Sequence, residues 1–312
     1  MDIKKLESFV HVADLGSFTK AASLLSVAQS ALSHQVRQLE IDLDQTLLHR
    51  NGRGVTPTDA GKRLLVHARG ILMQVRRARE ELAETRDAMV GHVVLGLPPS
   101  IARLLTVPLV KAFRSTFPQG TLGVAEALSA SVVTWLQEGH VDVGLVYNPP
   151  PLPCLEIHPL YDQELFLVSA KTANKTAKME RREGPIQLRE LPRYPLIIPS
   201  RSNANRILID TQLARLGLKP QIAFEIDGIA SIIDLVQEGY GHAALPLNSL
   251  RGHTSRRRVA VRPIIKPRLS IQLSVVTLAD RPMTPLAREF LSSLQKLASR
   301  VLSPGALSVP AQ

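Results

Sequence analysis

The chain has 312 residues, 45% of them hydrophobic and 21% charged, which fits about two globular domains and leaves little room for a mainly disordered chain. No apolar run reaches the length of a membrane helix, Met1-Asp2-Ile3-Lys4-Lys5 leads into no apolar signal core, and a lone Cys154 excludes an internal disulfide and a cysteine-based zinc site. A net charge of +11 favours a polyanionic or anionic partner, but residues 1–90 carry 13 basic and 11 acidic residues against 25 and 16 in residues 91–312, so charge alone does not locate a nucleic-acid site.

The first ninety residues have helical periodicity. Leu6, Phe9, Val10 and Ala13 repeat at helix spacing until Asp14-Leu15-Gly16, and the Ser17 hydroxyl is placed to cap a second helix carrying Ala21, Ala22, Leu24 and Leu25. Ser26-Val27-Ala28 is about the length of the turn in a helix-turn-helix. In the next helix Leu32, Val36, Leu39 and Leu43 fall on one side, while Ser30, Ser33, His34 and Arg37 fall on the other. With Gln29 they supply the short polar donors and acceptors that read base edges in the major groove, although any amphipathic helix has a polar face. Asn51-Gly52-Arg53, between Leu47-Leu48-His49-Arg50 and Gly54-Val55-Thr56, signals a hairpin wing, with Arg50 and Arg53 able to reach phosphates or the minor groove.

Thr56-Pro57-Thr58-Asp59 offers a capping hydroxyl, a proline suited to the first helical position and an acid for the start of a long helix. Leu64, Ala68, Ile71, Val75, Ala78, Leu82, Thr85 and Met89 then repeat at alternating spacings of four and three, the seam of a coiled coil. Dimerisation through this stripe is expected, with packing on the chain's own second domain as the alternative.

From Gly91 short apolar strands alternate with helices: Val93–Leu97, a helix from Ile101, Thr121–Ala125, another helix, then Val141–Tyr147. Leu136-Gln137-Glu138-Gly139 is echoed by Val236-Gln237-Glu238-Gly239, each ending a helix on glycine ahead of a strand. Two related lobes with a ligand cleft between them account for the echo, as does the coincidence of two similar corners. Polar loops at Pro98-Pro99-Ser100, Ser129, Ser200-Arg201-Ser202-Asn203 and Asp227-Gly228 open helices, and their hydroxyls serve equally as caps or as ligand contacts; Asp227 is expected to cap its own helix. The basic segment Arg251–Arg268 is expected to be a solvated loop and strand edge, and residues 303–312 a loose tail.

Dinucleotide and phosphate loops, a Gly-x-Ser-x-Gly elbow and a His-Glu-x-x-His motif are all missing from the sequence, so an enzyme is not expected. A solute-binding protein would explain the second half but not the first ninety residues.

Phe18–Ala22, Gln29–Glu40, Leu47–Arg50, Gly52-Arg53-Gly54 and Thr58-Asp59-Ala60-Gly61 resemble the LysR-type transcriptional regulators, and Arg53–Thr58 with His67-Ala68-Arg69 resembles the nitrogen-assimilation-control branch. The resemblance is strongest over residues 1–65 and architectural over 91–300. It implies a chain that is α/β overall, with an N-terminal all-α winged helix-turn-helix at 1–58, a dimerising linker helix at 59–90 and a two-lobed α/β periplasmic-binding-protein-like effector domain at 91–302. Lobe I would take about 91–161 and 267–302, and lobe II about 162–266. The implied DNA contacts are Thr19, Gln29, Ser30, Ser33, His34, Arg37, Arg50 and Arg53. Pro99, Ser100, Ser129, Ser202, Asn203 and Ile229 would lie near the effector, with Ser200 and Pro246 at its margin. The implied seam is Leu64, Ala68, Ile71, Val75, Ala78 and Leu82. Expected partners are double-stranded promoter DNA, a small-molecule effector and further copies of the chain as homodimer and homotetramer, with RNA polymerase as another to consider and no membrane. No cofactor or metal is expected, and a cytoplasmic location is expected. Ser30 stands where the family usually has proline and His34 where it often has arginine, so the operator sequence is not inherited from a relative. Asp44 replaces a common turn glycine. The basic second half makes a carboxylate-bearing effector the expectation, an effector-independent regulator of the same fold being the alternative.

Overall fold

The computed structural model describes residues 2–51, 54–82, 89–171, 184–251 and 258–302. Two compact units are distinguished, one of Met1–Val90 with Trp135–Val141 and one of Gly91–Thr134 with the chain from Asp142 onward. The first opens with helix α1 (Ile3–Leu15), which stops at Gly16 in the left-handed conformation, φ +61°. Helix α2 (Phe18–Leu25) follows at once, the Lys20 N–H donating to the Ser17 hydroxyl at 3.3 Å. Helix α3 (Gln29–Asp42) presents Leu32, Val36 and Leu39, all fully buried, to Phe9, Leu6 and Ala21. Asp44 takes the left-handed conformation, φ +49°, the geometry for which the usual glycine is suited.

The wing consists of β1 (Leu48–Asn51) and β2 (Gly54–Pro57), paired antiparallel with Asn51 opposite Gly54. Gly52 and Arg53, on which the Asn-Gly turn reading falls, lie outside the described residues. Pro57 closes β2 and is not the first helical residue. The cap of α4 (Asp59–Leu82) is Thr58, whose hydroxyl accepts from Gly61 N–H at 2.9 Å and donates to the Thr46 carbonyl at 2.7 Å. A glycine is required at 61 because a Cβ there would lie 2.1 Å from the Leu47 carbonyl oxygen.

The second unit starts with β3 (Gly91–Leu97), α5 (Pro99–Thr116), β4 (Gly120–Glu126), α6 (Ser129–Glu138) and β5 (Val143–Tyr147). Strand β3 runs parallel to both β4 and β5. The long β6 (Leu155–Ala170) comes next, then β7 (Ile186–Gln187), β8 (Leu196–Ile198), α7 (Ala204–Ala214), β9 (Ile222–Glu225), α8 (Ile229–Gln237), β10 (Ala243–Pro246), β11 (Val259–Ile265), β12 (Ser270–Leu278) and α9 (Pro285–Leu302). The principal sheet has the order β4-β3-β5-β12-β6-β11-β7, with β10 also paired to β6.

Strand β6 changes partners along its length. Leu155–Glu164 pairs with β12, whereas Leu165–Ala170 pairs with β10 and β11. It therefore runs from a first lobe, β4-β3-β5-β12 with α5 and α9, into a second, built on β10 and β11 with α8 covering Val168, Ile197 and Leu245. The return crossing is the short link from β11 to β12. The repeated helix-to-strand corner has the same geometry in both lobes: Gly139 and Gly239 have φ of +80° and +83°, and their N–H groups reach Leu136 and Val236 carbonyls at 3.1 and 3.0 Å. Strand β11 pairs with β6 over Val259–Pro263 and with β7 at Ile264 and Ile265; Arg262 on it donates to the Tyr194 hydroxyl at 3.1 Å. Residues 252–257 of the basic segment and the tail 303–312 lie outside the described residues. No described helix is long and apolar enough to cross a membrane.

Candidate nucleic-acid interface and ligand cleft

In the helical unit, burying Leu32, Val36 and Leu39 turns the opposite side of α3 to solvent, and Gln29, Ser30, His34 and Arg37 are exposed there with Ser33 partly so. Ala28 provides no side-chain cap, leaving the first N–H groups of α3 free of one beside Gln29 and Ser30, where the helix dipole favours an anion. Thr19, on the first turn of α2, is exposed as well. Arg50 joins the same surface from β1: its guanidinium lies 4.5 Å over the Phe18 ring and donates to the Ser33 hydroxyl at 3.3 Å. The fold thus brings together a wing arginine and a helix serine seventeen positions apart in sequence. Arg53 lies outside the described residues.

Two contacts fix that surface, and neither was apparent from the sequence. Glu40 on α3 accepts from the backbone N–H groups of Leu47 and Leu48 at 2.8 and 3.2 Å, tying the helix to the wing. Buried Ser8 bonds Gln35, tying α3 to α1.

The stripe on α4 divides. Ala68 is fully buried and Leu64 partly buried in the core of the same helical unit, beneath α1, and Arg69 pairs with Asp14 on that helix. Leu64 and Ala68 are therefore spent on the unit's own packing, contrary to their expected place in an intersubunit seam. Ile71 is the first stripe residue to emerge, 37% exposed, with Val75 partly buried and Ala78 exposed beyond it. The Leu82 side chain and Thr85 lie outside the described residues.

In the second unit a cavity of about 660 Å³ opens between the lobes. Its walls include Pro99 and Ser100 from the start of α5, Ser129 from α6, Asn203 capping α7 and Ile229 from α8, five of the eight residues expected near an effector. Ser202 lines an adjoining cavity of about 350 Å³ that shares Ser129, Tyr147 and Ala204. Pro246 lines a third of about 330 Å³, with Gln163 and Asn248. Ser200 lines none of these three cavities; its backbone N–H donates to Asp227 Oδ1 at 2.9 Å, and Asp227 lines the first.

That last bond corrects an expectation. Asp227 does not cap α8, whose N-cap Gly228 has no side chain to offer; its carboxylate reaches across to the loop before α7 instead. The hydrogen bonds from Ser200 hold its pKa below the ordinary carboxylate value.

Sequence reasoning missed the polar floor of the cleft. Tyr147, at the end of an apolar strand, receives no mark from pattern alone, yet it is buried and donates its hydroxyl to Gln163 Oε1 at 3.3 Å, while the Ser100 side chain hydrogen-bonds the Tyr147 phenol oxygen. Burial pushes its phenol up to about 12, so it stays protonated. Asn248 and Ser249, in the turn after β10, also face the cavity and are each only 6% exposed. Asn248 Oδ1, Ser249 Oγ and Gln163 Nε2 have no hydrogen-bond partner among the described residues.

Residues 3–62 match the family model described as a bacterial regulatory helix-turn-helix protein of the lysR family, and residues 86–299 match that described as the LysR substrate binding domain. The nitrogen assimilation regulatory protein nac of Escherichia coli (strain K12) is 31% identical over 300 residues, 96% of each chain. Among solved structures, a full-length OxyR variant from Pseudomonas aeruginosa has a TM-score of 0.72 at 21% identity, covering 96% of this chain and 94% of its own. Full-length CbnR complexed with its target DNA has a TM-score of 0.68 at 21% identity, covering 95% of this chain and 100% of its own. The family models together span most of the chain, and the relative that matches end to end is named as a regulator and not as an enzyme: this chain belongs to the lysR family of bacterial helix-turn-helix transcriptional regulators, with an N-terminal DNA-binding helix-turn-helix and a C-terminal effector-binding domain.

Proposed function

We propose that residues 1–58 bind double-stranded promoter DNA through the exposed face of α3 and the wing, that α4 pairs two chains, and that residues 91–302 sense a small molecule in the cleft between the lobes. Gln29, Ser30, His34 and Arg37 meet base edges in the major groove, while Thr19, Arg50 and Arg53 meet the backbone or the minor groove. The seam is carried from Ile71 onward, since Leu64 and Ala68 are engaged within their own unit. A dimer presents two heads and so reads a two-part site. Effector binding acts by population shift: a ligand that contacts one arrangement of the lobes better than another changes how the paired or tetrameric heads are spaced on bent DNA.

The single observation that carries this reading is the Arg50–Ser33–Phe18 cluster, which sets a wing arginine beside the exposed polar face of α3. Footprinting upstream of the protein's own gene and its divergent neighbour tests it. Two protected segments about one helical turn or a small multiple apart are expected. Loss of both is expected with Arg37→Ala; uniform cleavage with the unaltered protein, or unchanged protection with the variant, contradicts the assignment.

A further inference from the structure

The net charge of the chain favours an acidic effector, but the cleft's own walls do not. Arg103 is the cation on the described lining, and Glu126 and Asp227 oppose it. Asp227 lies immediately before the Gly228 cap, so its carboxylate accompanies the positive end of α8. Helix α5 opens on Pro99, which has no N–H to give, and the Asn205 N–H of α7 is already taken by the Asn203 side chain at 3.0 Å. Three of the four helix starts on the cleft, those of α5, α7 and α8, are thus made less receptive to an anion.

Ser100, Tyr147, Asn248 and Ser249 bring uncharged polar groups to the cleft, with Gln163 bonded behind Tyr147. Asn248 Oδ1 can only accept, whereas Ser249 Oγ and Gln163 Nε2 can donate, and all three are buried without a partner among the described residues. Buried polar atoms in native proteins are nearly always satisfied, so this set calls for a complement. A carboxylate only accepts hydrogen bonds; it would leave Asn248 Oδ1 unpaired and place a negative charge in a cavity that already holds Glu126 and Asp227.

We propose that this cleft takes an uncharged ligand whose head both donates and accepts hydrogen bonds, a primary carboxamide or a group of the same pattern, on an apolar body, and that it discriminates against the corresponding organic acid. The head meets Asn248 and Ser249, with Gln163 turning toward it from behind Tyr147. The proposal rests on the reading of the cleft as the effector site.

Calorimetry on the full-length chain at neutral pH, with the matched pairs indole-3-acetamide and indole-3-acetate, 1-naphthamide and 1-naphthoate, and benzamide and benzoate, tests both. The amide is expected to bind at least about tenfold more tightly than its acid in each pair that binds. Ser249→Ala should lower amide affinity while leaving the melting temperature unchanged or raised, because it removes an unsatisfied buried hydroxyl. Ala230→Trp, at an exposed cavity-lining position, should abolish binding in a protein that still melts cooperatively, and Ala127→Trp provides a second obstruction. Tighter binding of the acids, abolished by either tryptophan, overturns the ligand class and leaves the cleft in place. Amide binding that survives both tryptophans overturns the cleft reading and the proposal with it. Silence of every amide, or amide binding indifferent to Ser249→Ala, overturns the proposal.

Discussion

Replacing Arg50 by alanine separates DNA recognition from the integrity of the head. The guanidinium is exposed, held at two points: 4.5 Å over the buried Phe18 ring and 3.3 Å from the Ser33 hydroxyl. An exposed cation–π contact is worth about 0.5–1 kcal/mol, and the bond to Ser33 is long, so the head should lose no more than roughly 1 kcal/mol of stability. Loss of a phosphate contact, by contrast, should lower the slope of log affinity against log salt by about 0.9. A minor-groove or base contact in its place would cost about 1–3 kcal/mol, roughly 5- to 150-fold in affinity. Fluorescence anisotropy of a labelled promoter fragment at several salt concentrations measures both, with thermal unfolding as the control. Arg50→Lys keeps the charge and should retain the salt slope while losing the planar stacking on Phe18. Ser33→Ala should weaken binding less than Arg50→Ala, since it only frees the arginine. Equal affinity and equal salt slope for Arg50→Ala and the unaltered protein would refute the placement of the wing on DNA.

Ile71→Asp should dissociate the oligomer in sedimentation, because Ile71 is the first stripe residue exposed beyond the head; Ala68→Asp should instead abolish cooperative melting, since that side chain is fully buried within its own unit. An unchanged oligomer with Ile71→Asp contradicts the seam. Gly61→Ala puts a Cβ 2.1 Å from the Leu47 carbonyl oxygen, so the start of α4 must move from the wing strand, at a cost of about 1–3 kcal/mol. A melting temperature within experimental error of the parent would show that this approach is not tight. Tyr147 has its pKa raised from 10.0 to about 12, so the unfolded chain loses its proton first and stability falls as pH rises between those values, by about 3 kcal/mol in all. Tyr147→Phe should lack that alkaline loss in denaturant titrations from pH 9 to 12; parallel curves for the two proteins would contradict the burial of the phenol.

The elements legible in the sequence are those whose causes are local. Ser17 caps α2, Gly16 ends α1, Asp44 adopts the left-handed turn and Gly139 and Gly239 end matching helices, each for reasons contained within a few residues. Pro57 shows how a local rule can have two solutions, since a proline suits a strand end as well as a first helical turn, and the pairing of Leu48 with Pro57 decides between them. The stripe on α4 is ambiguous for a different reason. Spacings of four and three place side chains on one face but do not say what covers it, and α1 covers Leu64 and Ala68 before any partner can. The cleft was legible only where polar loops open helices. Tyr147 ends an apolar strand, Gln163 lies midway along β6 between two acids, Asn248 and Ser249 sit in the turn after β10, and they come together only when β5, β6 and that turn do.

The position of Gln163 bears on how a ligand in the cleft could influence the rest of the chain. It lies on β6 one residue before Glu164, the last residue paired with β12; from Leu165 the strand belongs to the β10 and β11 side. Its Oε1 is held by Tyr147 of the first lobe, and its unpaired Nε2 belongs to a side chain that shares a cavity wall with Asn248 of the second. A small molecule bound by one lobe alone would shift no equilibrium between lobe arrangements, because only a difference in affinity for the two arrangements does so. A ligand that engages Ser100 or Tyr147 together with Asn248 or Ser249 supplies that difference across the crossing itself. The amounts are adequate: each unsatisfied buried polar atom costs about 1–3 kcal/mol, so pairing one of them in a single lobe arrangement shifts the balance roughly 5- to 150-fold. The unsatisfied polar groups lie beside the place where β6 passes from one lobe to the other, so under the proposed reading the free energy released on pairing them would act on the lobe angle as well as on affinity.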